Sequence, residues 1–315
     1  MGSDLAGSLR SPAHYCGVFT HKPTPGVISL RGHATPRSPA LPVESDLAVV
    51  GPMARSAADL ALALDILAGP NEETDGIAYR LALPPPRQED LKRFRVLVIE
   101  AHPLIPTGAA VGAALERLVD RLDKAGAKTA RASPLLPDLA EATRICTALL
   151  SAFVAAYSPD YYAQGRAAAG ALATGDNSLR AWRARGAVMS HRDWIATDRA
   201  RAQLRKQWRD LFREWDVVLC PPTPAIPHDH TPDREARRID IDGVSYSYRD
   251  TLQVLPSVAT AAGLPATVAP IGRSYGGLPI GVQIVGPYLE DRTTIRFAEL
   301  IEREIGGFVA PPDFR

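Results

Sequence analysis

Apolar residues recur along this chain at helical spacing in some stretches and as short unbroken runs in others, so helices and buried strands are both predicted. Ser56 followed by Asp59 is a capping box, and Leu60, Leu64 and Leu67 then fall on one helical face. Gly69-Pro70 is expected to stop that helix, with a left-handed glycine and a proline that cannot continue it. Asn71 to Asp90 is proline-rich and polar and reads as a surface loop. RVLVIE (Arg95 to Glu100) reads as a strand, and Val111, Leu115, Leu118 and Leu122 mark a helix that Gly126 ends. Lys128 to Arg131 forms a second strand. Strand, helix and strand in that order predict a parallel or mixed sheet with helices on its faces.

The remainder continues the alternation. Asp138 to Tyr157 reads as a buried helix, whereas Ala167 to Arg185 is rich in alanine and arginine with a poorly defined apolar face. Ser190 with Asp193 opens a long helix carrying Trp194, Leu204, Trp208, Leu211 and Trp215. DVVLC (Asp216 to Cys220) is a strand running into Pro221-Pro222, and Pro224 to Asp242 is loop-like. ATVAPI (Ala266 to Ile271) and PIGVQIVG (Pro279 to Gly286) read as core strands joined by a glycine-rich turn, before a closing helix from Arg292 to about Ile305. No internal repeat or low-complexity linker interrupts residues 1–315, so one domain is expected.

Composition removes several classes. A formal net charge of +1 gives no electrostatic footprint for nucleic acid or an anionic membrane. The uncharged apolar stretch Ile145 to Tyr157 falls short of the roughly 20 residues a spanning helix needs. The N-terminus lacks the basic and apolar regions of a signal peptide, so a cytoplasmic location is expected. Cys16, Cys146 and Cys220 are odd in number and lack CxxC spacing, which argues against a disulfide framework and a zinc knuckle.

The candidate chemistry lies in MGSDLAGSLRSPAHYCGVFTHKPT. Ala6 and Gly7 let the backbone turn tightly beside Ser8, bringing successive N–H groups near its oxygen, the usual material of an oxyanion hole. The competing reading is an ordinary Gly-Ser turn. No G-x-S-x-G elbow surrounds Ser8, and nothing places His14, His21 or His33 against it. His14 and His21 flank a strand-like segment, where core or surface histidines are expected. His228-Asp229-His230 sits in a proline-flanked loop without further ligands nearby, so no metal is assigned. Walker A and GxGxxG loops are absent, and no cofactor is assigned.

Read together, GSDLAGSLRSPAHYCGVFTHKPT resembles the amidase signature family, serine hydrolases of amide bonds. GPMARSAADLALALDILAGP, DVVLCPPTPAIP, AGLPATVAPIG and GGLPIGVQIVGPYLEDRTTIRFAELIE resemble the family's later blocks, in family order. The resemblance implies an α/β fold, a large mixed β-sheet flanked by helices on both faces, with its N-terminal part missing from this chain. It implies a Ser–cis-Ser–Lys catalytic unit whose nucleophile is Ser8. The N–H groups of Leu5, Ala6, Gly7 and Ser8 would form the oxyanion hole, and Asp4 and Arg10 would brace the loop. Ala6 stands where the family usually has glycine and fits only with a negative φ.

In the family, the lysine base and bridging serine lie upstream of the nucleophile, and this chain starts after both. None of Lys22, Lys92, Lys124, Lys128 and Lys206 has the family lysine's context. Lys22, in HKPT, matches a structural segment. A serine hydroxyl without a positioned base is a weak nucleophile, and loss of a catalytic base costs about 10⁶ in kcat in a well-studied protease. The chain as written is therefore expected to be nearly inert. Uncovered strand edges and apolar faces would favour self-association into a homodimer.

The activity implied is hydrolysis of a small-molecule carboxamide to a carboxylate plus ammonia or amine, through an acyl-enzyme on Ser8, with no nucleic-acid or membrane partner. One alternative is the amidase subunit of a tRNA-dependent amidotransferase, disfavoured because HYCG and GVQIVGPYLEDRT look closer to stand-alone amidases. Another is a non-catalytic binding protein that keeps part of the fold.

Overall fold

A computed structural model describes residues 1–33, 45–228 and 237–311. Its N-terminal elements are β1 (Gly2–Asp4), α1 (Arg10–Cys16), β2 (Phe19–Lys22), β3 (Val49–Gly51), β4 (Met53–Ala54) and α2 (Ala57–Leu67). The predicted βαβ unit follows as β5 (Arg95–Val98), α3 (Ala109–Lys124) and β6 (Lys128–Ala130). Four helices come next: α4 (Leu139–Tyr157), α5 (Pro159–Gly170), α6 (Leu179–Ala187) and α7 (His191–Glu214). The chain closes with β7 (Val217–Cys220), β8 (Arg238–Ile241), β9 (Val244–Ser247), α8 (Tyr248–Gln253), α9 (Ser257–Thr260), β10 (Ala266–Arg273), β11 (Pro279–Val285) and α10 (Asp291–Glu304).

The main sheet has seven strands in the order β4-β2-β10-β11-β7-β5-β6. β5 runs parallel to both β6 and β7, and the other pairings are antiparallel, so the sheet is mixed as expected. Strand alternation sorts its side chains onto two faces. Val96, Val98, Val217 and Leu219 pack with Leu60, Leu64, Leu115, Leu122, Phe297 and Ile301, which puts α2, α3 and α10 on one face. Leu97, Val218 and Cys220 pack with Cys146, Leu204, Trp208, Leu211 and Val258, which puts α4, α7 and α9 on the other. The βαβ unit and both capping boxes match expectation: Ser56 accepts from Asp59 N–H and Ser190 from Asp193 N–H, each at 3.1 Å.

Four local expectations need correction. Of the strand-like segment flanked by His14 and His21, Tyr15 and Cys16 belong to the helix α1 and only Phe19 and Thr20 to the strand β2, so His14 is helical and His21 lies on the strand. Gly69 does not adopt a positive φ; Ala68 turns extended first, and Gly69 N–H donates to Val27 O at 2.9 Å. The stretch expected to be loop-like up to Asp242 instead holds strand β8, which pairs with β9 beyond it in a hairpin turned by Asp242 (φ 52°) and Gly243 (φ 85°). That Asp-Gly between RIDI and VSYS is a type I′ hairpin signal. Finally, α4 is long and apolar enough to cross a membrane by length and composition, although its uncharged part alone is not. Half of that window is buried, and the helix packs against α6 and α7.

Candidate active site

The first turn is locked from below. β1 delivers Asp4 into the interior, the chain turns through residues 5–9, and α1 starts at Arg10. Asp4 accepts the N–H groups of Gly7 (2.8 Å) and Leu9 (3.2 Å) and a two-pronged pair of bonds from Arg10 Nε (3.0 Å) and Nη2 (2.9 Å). The rest of the guanidinium donates to Pro256 O (2.7 Å), Gln283 Oε1 (2.6 Å) and Thr260 Oγ1 (2.7 Å). Both charges are shut off from solvent. Burial pushes the Asp4 carboxyl up, but the Arg10 charge and hydrogen bonds, helped by the Lys22 charge, hold it at about 2.

Gly7 is required here for two reasons. Its φ is +105°, and a Cβ would lie 2.7 Å from Pro256 Cγ. Ala6 lies outside the positive-φ region, so its methyl group is tolerated. Gly7→Ala should therefore cost about 1–3 kcal/mol through the strained φ alone and displace Ser8. A chemical-denaturation midpoint that stays unchanged would contradict this reading.

Above the brace, Ser8 is exposed and its hydroxyl takes no hydrogen bond from the described residues. Of the four N–H groups expected in the oxyanion hole, Gly7's is held by Asp4. Those of Leu5, Ala6 and Ser8 find no partner among the described residues. Leu5 packs its side chain against Leu47, Ile145 and Leu149, which seats the start of the turn. Among the described residues the turn thus carries three unengaged backbone donors and one exposed hydroxyl.

His14 and His21 are occupied elsewhere. His14 is buried: its Nδ1 accepts Gly281 N–H at 3.0 Å, which leaves the Nε2 proton to donate to Ala225 O at 3.1 Å. His21 joins Thr267 Oγ1 (2.9 Å) and Asp291 Oδ1 (3.0 Å), the partners of a Thr-His-Asp triad. All three are fully buried, so no substrate reaches them, and the group instead ties β2 and β10 to α10. Lys22 is also interior, with Nζ donating to Pro23 O (3.0 Å) and Leu264 O (2.9 Å). Burial, then the nearby Arg10 charge, lower it to about 7. His228 is described, with its ring edge-on to Tyr15 and Tyr248, but Asp229 and His230 lie outside the described residues. His33 is exposed.

Burial lowers both His14 and His102 to about 4. The unfolded chain then binds protons at these sites that the folded chain refuses. Their stabilisation is complete above pH ~6.5 and falls as pH drops towards ~4. Urea midpoints should decline through that window, more gently in His14→Gln. A flat profile there would contradict the buried neutral imidazoles.

Sequence reasoning missed the residues that receive Arg10: Pro256, Thr260 and Gln283. One of them left a signal. Gln283 is the lone polar side chain in PIGVQIVG, and a glutamine in a core strand needs a buried partner.

A family model described as Amidase matches residues 1–295. The chain belongs to the amidase family. It is 34% identical over 326 residues to the A subunit of the glutamyl-tRNA(Gln) amidotransferase of Thermus thermophilus, covering 96% of this chain and 63% of that protein. It is 29% identical over 317 residues to the indoleacetamide hydrolase of Bradyrhizobium japonicum, covering 97% and 62%. Among solved structures, a bacterial aryl acylamidase of the amidase signature family superposes with a TM-score of 0.73 at 17% identity, covering 97% of this chain and 62% of that one. This amidase-family chain therefore has the family's mixed sheet, and it spans less than two thirds of the length of these relatives.

Proposed function

We propose that this chain carries the acylation centre of an amide hydrolase. Ser8 attacks the carbonyl carbon of a carboxamide, and the oxyanion is received by the N–H groups of Leu5, Ala6 and Ser8. The hydroxyl proton passes to the leaving ammonia or amine, giving an acyl ester on Ser8, and water then releases the carboxylate. Gly7 N–H stays with Asp4, so this hole has three donors rather than four. No described lysine or histidine hydrogen-bonds Ser8, and the proton acceptor is assigned to residues outside those described. One domain over residues 1–315, a small-molecule amide as partner and a cytoplasmic location complete the reading; the three free cysteines support that location.

The observation that carries this proposal is the exposed Ser8 hydroxyl on a turn whose backbone is fixed by the buried Asp4–Arg10 pair. It is tested with 4-nitroacetanilide and the protein as its gene encodes it, including any residues before Met1. Added hydroxylamine should divert product to acetohydroxamate while 4-nitroaniline release continues. Hydrolysis without any hydroxamate would point to direct attack by water. A protein that binds amides but turns none over would leave the non-catalytic reading.

A second reading has a specific observation behind it. Similarity to a relative named as the A subunit of an amidotransferase, at 34% identity, weighs against the preference for a stand-alone amidase. In that reading the same Ser8 chemistry releases ammonia for a partner protein. Stable co-purification with a second polypeptide separates the two.

A further inference from the structure

A cavity of about 510 Å³ lies away from the Ser8 turn, walled by α7, the 262–264 segment and the 287–290 loop. Arg205 and Arg209, one helical turn apart on α7, line it together with Arg87 and a single carboxylate, Glu290. That carboxylate is already taken, since Arg87 Nε and Nη2 meet its two oxygens at 2.5 and 2.7 Å. Arg87 Nη1 donates to Phe212 O, and Arg205 Nε to Ala262 O. The terminal nitrogens of Arg205, and the whole Arg209 guanidinium, have no hydrogen-bond partner among the described residues. Asp210, next to Arg209, is paired with Lys206 at 2.8 Å and Arg213 at 3.3 Å.

Two like charges at i and i+4 on a helix repel one another, and an anion between them relieves that repulsion. Here they border a concavity within the roughly 300–1,000 Å³ usual for small-molecule sites. Its other walls are Ala262, Leu264, Pro287 and the half-exposed ring of Tyr288, which suit a flat apolar body. We propose that this cavity is a second binding site, separate from the acylation centre, for a small organic dianion carrying a phosphate on an aromatic or heteroaromatic ring. The phosphate bridges Arg205 and Arg209, whose planar forks match its oxygens, while the ring lies against Tyr288 and Leu264. The wall is continuous with the Ser8 brace: Thr260, just before it, accepts from Arg10, and Leu264 O accepts from Lys22.

Isothermal titration of the full chain with phenyl phosphate tests this, with inorganic phosphate and phenol as the two halves of the ligand. Phenyl phosphate should bind one saturable site with Kd below about 1 mM, at least about tenfold tighter than either half. Arg209→Gln, which removes no hydrogen bond within the described residues, should weaken it at least about tenfold without moving the melting temperature. Equal binding of inorganic phosphate would overturn the aromatic part of the assignment. Binding unchanged in Arg209→Gln, or no saturable binding, would overturn the site itself.

Discussion

In the protein that also carries the lysine–serine segment, Ser8→Ala should lower amide hydrolysis by about 10⁴–10⁶-fold while leaving the fold intact, because it deletes the atom that becomes acylated. The same substitution should move folding stability by no more than about 0.5 kcal/mol, the usual range for an exposed side chain without specific contacts. Ser8 is exposed and unbonded among the described residues, so the two readouts separate. Matched progress curves and urea melts check this. Activity surviving in the mutant would move the nucleophile elsewhere, and a collapse of stability would make Ser8 a structural residue.

Arg10→Met should show the opposite signature, a large loss of stability with catalysis lost as a consequence. The guanidinium is fully buried and bonds Asp4, Pro256, Thr260 and Gln283. Removing it strands the Asp4 carboxylate in the interior with two backbone donors. Breaking one side of a buried ion pair costs about 3–5 kcal/mol, against a typical total of ~5–15 kcal/mol. Arg10→Lys should recover only part of this, since an ammonium cannot reproduce the two-pronged contact. The comparison is made by urea denaturation at pH 7. A loss below about 1 kcal/mol for Arg10→Met would contradict the brace.

Much of the scaffold was legible because its signals are local. The caps at Ser56 and Ser190, the leucines of α3 and the apolar runs of β5, β7, β10 and β11 each declare an element within a dozen residues. The short helix α1 was not legible: RSPAHYC is too brief for a helical period to show. It is fixed by packing, for His14 spans the gap to Gly281 and Ala225. The β8–β9 hairpin was legible in principle through Asp242-Gly243, but neighbouring prolines obscured it.

The site divides in the same way. Asp4, Gly7, Ser8 and Arg10 stand within seven residues, so a motif exposes them together. Their supports at Pro256, Thr260 and Gln283 lie about 250 residues along the chain, and only the fold brings them near. The engagement of Gly7 N–H by Asp4 could not be read from sequence, because it depends on how tightly the turn closes.

In the proposed mechanism the Ser8 hydroxyl is the acylated group and draws its proton acceptor from outside the described residues. Labelling with a fluorophosphonate, followed by peptide mass mapping, tests it most directly. Two samples are compared: the 315-residue chain alone, and the same chain joined to the lysine–serine segment its resemblance implies. The expected result is an adduct on the peptide containing Ser8 in the joined protein, little or none in the chain alone, and none in Ser8→Ala. An adduct on another residue, or equal labelling of the chain alone, would contradict the account.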